Sequence, residues 1–225
     1  MPLRHWLCLL SLFGHLTTTA AAEGAAARFL QAQASAGIAS LANSRVLWDT
    51  EGDLNGDGLA DYAAVLSRPL DDGSEEERVV VLAATEQGAY RIMSLSGAFC
   101  GVGRSGKFYQ LSVTGRSLFV SGVWSAEGEN YVGFTLQFRY KQQLDDLQLI
   151  GEENESRWAG QVSRASFNYL TGNVLLRREG GKKRKEIAAQ LSKAPLFRLQ
   201  DFECFSQDAL KPSVHIDEHF KVQRQ

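Results

Sequence analysis

The sequence contains little of what serine and cysteine hydrolases need. Its 225 residues include three cysteines, four prolines, four histidines and two methionines. The histidines stand only at positions 5, 15, 215 and 219, and no serine lies in a G-x-S-x-G turn. Hydrolases that use histidine as the general base therefore lack their proton acceptor in the body of the chain.

Long apolar runs and a large excess of one charge are also missing. After residue 16 no stretch reaches the length of about 20 apolar residues that spans a bilayer, so we expect no transmembrane segment in the mature chain. The 24 Lys and Arg residues against 26 Asp and Glu residues give a formal net charge of −2. This balance argues against a nucleic acid or an anionic membrane surface as the main partner.

The first 22 residues have the pattern of a cleaved signal peptide. Arg4 gives a positive start, residues 6–16 are mainly apolar, and Ala20 and Ala22 form a small-x-small cleavage site. The apolar run is shorter than the about 20 residues of a membrane anchor. We therefore expect a signal peptide at residues 1–22 and a periplasmic or secreted mature protein.

Cleavage would leave two cysteines, Cys100 and Cys204. In an oxidising compartment a lone pair of cysteines predicts one disulfide. Such a bond would close a loop of about a hundred residues and stabilise the fold by up to about 4–5 kcal/mol in the chain-entropy model. The alternative is two buried free thiols, which pack as small apolar side chains.

The pattern after the leader predicts a short helix followed by a mainly β domain. We expect a helical leader at residues 23–44, where apolar side chains recur at helical spacing. From residue 45 to residue 205, short runs of β-branched and aromatic residues alternate with glycine turns. The connections are too short for parallel crossovers. The prediction is an antiparallel meander or sandwich, followed by a polar tail at residues 206–225.

Residues 53–61 carry the most informative motif, D-x-N-x-D-G-x-x-D. Hard cations such as calcium bind six to eight oxygen ligands, and this spacing lets one tight loop supply most of them. The motif predicts one structural Ca²⁺ held by four side chains and one carbonyl oxygen, those of Asp53, Asn55, Asp57, Asp61 and, by its carbonyl, Leu59. The alternative is an Asx-rich turn without a metal.

An EF-hand is a poor match for the same loop. Its twelfth position needs a bidentate glutamate, but this sequence has Ala64 there, and the flanking residues are typical of strands rather than helices. We expect Ala64→Glu to change little, because a strand would carry that side chain away from the ion.

The acidic loop resembles the loops between strands in FG-GAP and integrin-like repeats, although only one such repeat is present. Residues 45–205 also resemble a family of small exported bacterial proteins of unknown function. The matching segments follow in the same order and are residues 52–61, the Cys-Gly-rich stretch 100–103, the Phe-Arg-Tyr stretch 138–140, and the Phe-Asn-x-Leu-Thr-Gly stretch 167–172. The resemblance implies a bacterial envelope protein and carries no activity with it.

Two further motifs have a simpler interpretation. Residues 215–219 satisfy H-x-x-E-H, the signature of inverted zincins, but that chemistry needs a third ligand on a later helix and only six residues follow. A solvated tail is favoured. The basic run 182–185 follows a Gly-Gly turn and is typical of a solvated hairpin end rather than a nucleic-acid site.

The sequence thus favours a monomeric, non-catalytic envelope protein. It would bind a glycan, a peptide or another envelope protein through exposed aromatic side chains such as Trp124, Tyr131 and Trp158. The alternative is a hydrolase of an envelope polymer that uses paired carboxylates, since acids on neighbouring strands cannot be found from spacing.

Overall fold

The structure is a computed structural model, and it describes residues 16–38, 41–71, 73, 75–98, 107–127, 130–180, 183–191, 197–201, 214–216 and 222–224. One helix and two antiparallel sheets make up most of this part. The helix is α1 (Leu16–Ser35). A helix near the N-terminus is therefore present as predicted, but it begins at Leu16, inside the predicted signal peptide, and ends at Ser35 rather than at residue 44. None of the helices in these ranges is long and apolar enough to cross a membrane.

The first sheet has four strands in chain order. They are β1 (Arg45–Gly52), β2 (Asp61–Pro69), β3 (Glu75–Ala84) and β4 (Tyr90–Leu95).

The second sheet has seven strands, also in chain order. They are β5 (Lys107–Thr114), β6 (Ser117–Glu127), β7 (Asn130–Lys141), β8 (Asp146–Trp158), β9 (Gln161–Asn168), β10 (Asn173–Gly180) and β11 (Lys183–Gln190). A one-turn 3-10 helix (Leu199–Asp201) and a small pair, β12 (Val214–Ile216) and β13 (Val222–Arg224), follow. Every strand pair in the described ranges is antiparallel, so the predicted antiparallel meander is confirmed.

The two sheets enclose the main hydrophobic core. Alternate residues of β2 and β3, such as Ala63, Val65 and Val81, are fully buried toward the seven-stranded sheet. That sheet contributes larger side chains, including Leu136 and Phe138 of β7. Since side chains in a strand alternate between faces, one face of each sheet forms the inside of a sandwich.

The other face of the four-stranded sheet is also buried. Ala26 and Leu30 of α1 pack against Tyr62, Leu66 and Leu82. The middle of this sheet therefore lies between the helix and the second sheet. Burial on both faces explains why β2 and β3 read as continuous apolar runs rather than as alternating ones.

This double burial corrects one expectation. Ala64 has no exposed surface and packs on the helix side of β2. Replacing it with glutamate would bury an unpaired carboxylate, which is strongly unfavourable. The expectation that Ala64→Glu changes little is therefore wrong.

Polar contacts join the two sheets at β4, the edge strand of the four-stranded sheet opposite β1. The guanidinium of Arg91 in β4 donates to Asp145 in the β7–β8 turn at 2.9 Å, and the hydroxyl of Tyr140 donates to the same carboxylate at 2.9 Å. The Arg91 guanidinium lowers the pKa of Asp145 below its usual value. Both side chains of the ion pair are about half exposed, so its contribution to stability is small.

The edge strands β1 and β5 approach closely where β1 ends. A Cβ atom on Gly52 would stand 2.6 Å from Cγ1 and 2.9 Å from Cβ of Val113 in β5. Glycine is therefore required at position 52 for close approach of the two strands.

We predict that Gly52→Ala destabilises the protein by about 1–3 kcal/mol, the usual cost of adding an atom where a neighbouring side chain leaves no room. Urea unfolding of the wild type and the variant measures this difference. Gly151→Ala in β8 is the matched control, because its Cβ would first meet the movable Oε1 atom of Gln137, at 3.2 Å. Equal losses of stability in the two variants would contradict the close-approach argument.

Candidate functional site

The acidic loop, residues 53–61, is a compact turn stabilised by its own side chains. Its side-chain oxygens accept hydrogen bonds from backbone N–H groups within the loop. These bonds join Asp53 Oδ1 to Gly56 N (2.5 Å), Asp53 Oδ2 to Gly58 N (3.2 Å), Asn55 Oδ1 to Asp57 N (2.8 Å) and Asp57 Oδ1 to Leu59 N (2.8 Å). The three side chains thus turn toward the same short stretch of backbone.

The side chain of Asp61 connects this loop to strand β3 of the four-stranded sheet. Its side chain has no exposed surface and accepts the N–H groups of Leu54 (2.9 Å), Asn55 (3.2 Å) and Ala84 (3.0 Å). Burial raises the pKa of Asp61, the three backbone hydrogen bonds oppose that rise, and the charge of Asp57 adds to it. Leu54 is also buried, in the main core. The loop is therefore held by one buried carboxylate and one buried apolar side chain.

A positive charge lies against the loop. Gly56 has a φ of 87°, and a Cβ there would stand 2.6 Å from Nη1 of Arg116, in the turn between β5 and β6. Glycine at this position meets two requirements, a left-handed backbone and room for the guanidinium.

The donor chemistry fits a hard cation, because the loop offers only oxygen ligands. Asp53, Asn55 and Asp57 would hold Ca²⁺ by side-chain oxygens, together with Leu59 by its carbonyl and Asp61 by its buried carboxylate. Within the described ranges no three His, Cys, Asp or Glu side chains are arranged as a metal site. The arrangement seen is a hydrogen-bonded Asx turn, and calcium binding stays a prediction.

A second candidate site lies on the outer face of the seven-stranded sheet, the face turned away from the four-stranded sheet. Two adjoining depressions of about 250 and 380 Å³ share Thr135, Glu153 and Ser166. We call the two together the outer groove. The side chains that line it on this face are largely polar and include Gln137, Asn168, Glu155, Arg164 and Arg177, with Phe119 and Leu175 as apolar members.

A row of charged residues crosses one end of the outer groove. Four residues stand directly opposite one another on successive strands, in the order Glu155, Arg164, Arg177, Glu186. The Nε atom of Arg164 donates to Glu155 at 2.5 Å, and that of Arg177 donates to Glu186 at 2.8 Å. Each arginine is therefore paired with the glutamate on its outer side, and the two arginines are neighbours.

A β-bulge in β8 decides which carboxylates face the groove. Gln137 pairs with Gly151 but Phe138 pairs with Leu149, so Ile150 is an extra residue in the ladder. Beyond the bulge, Glu153 and Glu155 point to the outer face, and Glu152 points inward. Without the extra residue, Glu152 would point to the outer face, and Glu153 and Glu155 would point inward.

Glu152 forms a polar cluster at the end of the core. It accepts hydrogen bonds from the hydroxyl of Tyr169 and from Nδ2 of Asn154, both at 2.5 Å. The Tyr169 ring stacks on Phe167, with 6.1 Å between the ring centroids. Burial raises the pKa of Glu152, and the two hydrogen bonds oppose this rise. Burial also raises the pKa of Tyr169.

The aromatic residues predicted to bind a ligand are in different situations. Trp158 is 67% exposed at the end of β8, before the turn into β9, and it does not line the outer groove. Trp124 and Tyr131 lie in β6 and β7, and their side chains lie outside the described part of the structure. The predicted disulfide partners Cys100 and Cys204 and the motif residue His219 also lie outside it.

Sequence reasoning missed the outer groove. Its members follow strand alternation, as in Glu153 and Glu155 or Arg164 and Ser166. That signal marks an exposed strand face but cannot show which residues of separate strands meet.

No protein-family model matches the chain, and the search of curated proteins found no match. The resemblance noted from the motifs therefore remains an expectation. In the part of the chain that the structure describes, the fold is a sandwich of two antiparallel β-sheets with one α-helix.

We predict that Glu152→Gln makes the stability of the protein less dependent on pH. Because the folded pKa of Glu152 is raised above its ordinary value of 4.5, the protonated form is favoured in the folded state. The stability it contributes is fully present below that ordinary value and is lost as pH rises through the folded pKa. The free energy of unfolding should fall over this window in the wild type.

Urea unfolding from pH 4 to pH 8 measures the effect. Glutamine keeps an acceptor for Tyr169 and Asn154 but cannot ionise. The control is Glu86→Gln, in the exposed turn between β3 and β4. An unchanged pH profile in Glu152→Gln would show that this carboxyl group does not control it.

Proposed function

We propose that the protein is an exported, monomeric and non-catalytic binding protein of the bacterial envelope, which holds a glycan in the outer groove. The observation that carries this proposal is the character of the groove. Hydroxyl, amide, carboxylate and guanidinium groups line it on a sheet face. Ser166 can both donate and accept hydrogen bonds, Thr135 and Gln137 keep capacity beyond their bonds to Ser121 and Ser117, and Asn168 keeps its amide N–H donors.

The position of the groove favours a glycan over a peptide. Strands β7, β8, β9 and β10 all pair on both sides, so their backbone groups are used within the sheet. A peptide that binds by adding a strand needs free backbone groups at a sheet edge. A ligand on this face must therefore be recognised by side chains alone, which suits the many hydroxyl groups of a sugar.

The export part of the proposal is supported by the leader pattern at residues 1–22. In an exported protein, millimolar calcium would be available to the acidic loop. We propose that the loop binds one Ca²⁺ with a structural role, since Asp61 and Leu54 join it to the interior rather than to an open cleft.

The alternative, a hydrolase with paired carboxylates, is favoured by one observation. Glu153 and Glu155 both line the 250 Å³ depression, two residues apart on β8. A general acid needs a water-poor, apolar surrounding that keeps it protonated. Glu153 is exposed and Glu155 is ion-paired with Arg164, so neither has such a surrounding. We therefore prefer the binding function.

The calcium proposal predicts that Ca²⁺ raises the melting temperature and that Asp57→Ala abolishes the rise. At about ten times a dissociation constant of about 0.1–1 mM, calcium would add roughly 1.4 kcal/mol to the stability. Asp57 is the suitable ligand to remove because it is exposed and accepts one backbone N–H group, whereas Asp61 is buried and accepts three. Thermal unfolding with calcium or with chelator measures the effect.

Asp71→Ala is the control for that experiment, since Asp71 is an exposed aspartate in the turn after β2, outside the loop. It should keep the full calcium response. A wild-type melting temperature that is the same in calcium and in chelator would contradict the proposal.

The glycan proposal predicts that filling the outer groove removes binding. Ser166 lines both depressions, and Ser166→Tyr should occupy their shared volume without disturbing the core, since the residue is on the outer face. Isothermal titration with a panel of soluble neutral and acidic oligosaccharides should find at least one ligand for the wild type. That ligand should bind Ser166→Tyr at least about ten times more weakly.

Gln110→Tyr is the matched control, an exposed residue of β5 in the same sheet that lines neither depression. It should bind as the wild type does. Binding that survives in Ser166→Tyr would place the ligand elsewhere on the molecule.

A further inference from the structure

The neighbouring arginines in the outer groove have unused hydrogen-bonding capacity. A guanidinium carries five N–H donors, and Arg164 and Arg177 each use Nε on a glutamate. Neither guanidinium makes a further hydrogen bond to a residue in the described ranges. Their side chains are 52% and 42% exposed, and both line the same depression. The terminal amino groups are therefore accessible from the groove.

The pairing of the strands places the two guanidiniums side by side. Arg164 and Arg177 stand directly opposite each other on β9 and β10. Like charges at directly opposed positions repel and destabilise a sheet. Glu155 and Glu186 lie on the outer sides of the two arginines, and Glu155 also lies 4.0 Å from Arg157. Glu179 and Glu153 add electrostatic attraction to Arg164, but neither belongs to the row, so no negative group of the row lies between the two guanidiniums. An anion near this region would complete the alternation of charge.

The charge count limits which anion fits. The 250 Å³ depression is lined by two carboxylates, those of Glu153 and Glu155, and by the two guanidiniums, so its lining is neutral as a whole. A dianion such as a phosphate monoester would meet the repulsion of both carboxylates. A single carboxylate matches the planar fork of a guanidinium and accepts two N–H bonds from it.

We propose that the outer groove selects acidic glycans, with Arg164 and Arg177 binding the carboxylate of a uronic acid residue and Thr135 and Ser166 binding its hydroxyl groups. This inference rests on the proposed glycan-binding function and names the ligand class of the same site. Glu153 completes the site as an acceptor for sugar hydroxyl groups.

The test compares two ligands with the same sugar backbone, an oligogalacturonate with ionised carboxyl groups and its uncharged methyl ester, by titration of the full chain at low salt. The acid should bind at least about ten times more tightly than the ester, the usual difference between a charge-assisted and a neutral hydrogen-bonded pair. Arg164→Gln and Arg177→Gln should each lower the affinity for the acid toward the affinity for the ester. Added salt should weaken only the binding of the acid.

Arg91→Gln is the matched control, because it removes an equally exposed arginine–carboxylate pair from the four-stranded sheet. It should keep the preference for the acid. Circular dichroism and the melting temperature establish that each variant is folded. If Arg164→Gln does not fold, Arg164→Lys replaces it, and the preference should fall because lysine lacks the planar fork.

The possible results separate the two levels of the proposal. Equal binding of acid and ester by the wild type would overturn the inference and leave the glycan-binding function standing. Binding of neither, or of any other sugar in the panel, would overturn both. Tighter binding of an acidic tetrapeptide, with the same dependence on Arg164 and Arg177, would overturn the assignment to a sugar. Loss of the preference for the acid in Arg91→Gln would show that this preference depends on the overall charge of the protein and not on the groove.

Discussion

The burial of the four-stranded sheet on both faces is the constraint on which the rest of the structure depends. Its inner face packs on the seven-stranded sheet, and its outer face packs on α1, so β2 and β3 have almost no exposed side chains in their middle. A charged side chain in this layer must be paired or must be at its rim. Asp61 illustrates the rule, because it stands at the first residue of β2, is fully buried, and has three backbone donors. The acidic loop is thereby fixed to the sheet that is buried on both faces.

The seven-stranded sheet has the opposite character, because the face turned away from the core is covered by no layer of the described structure. Its hydrogen-bonded ladder leaves the backbone of the middle strands saturated, and only side chains can meet a ligand there. The bulge at Ile150 makes this face charged, since it turns Glu153 and Glu155 outward and Glu152 inward. One extra residue thus creates both the outer groove and the inner cluster around Tyr169.

The antiparallel meander could be predicted because its evidence is local. Short apolar runs, glycine turns and short connections each depend on neighbouring residues, and the pairing of β7 with β8 and of β10 with β11 follows from them. The outer groove could not be predicted, because the approach of Glu155, Arg164 and Arg177 depends on the register of three strands and on a bulge. The tolerance expected at Ala64 failed for a similar reason, because packing against a helix cannot be seen in strand periodicity.

The two candidate sites differ in what their charges already do. In the acidic loop the side-chain oxygens accept backbone N–H groups, and Arg116 lies against Gly56, so a cation there would add to a turn that is formed already. Its contribution would be to stability, by mass action on the folded state. In the outer groove the charges compensate each other in pairs, yet two guanidiniums stand together with donors unused. An unsaturated, exposed pair of like charges lowers stability when empty and gains most from a bound anion. The unused donors of these two exposed guanidiniums are the physical reason to connect binding with the groove rather than with the loop.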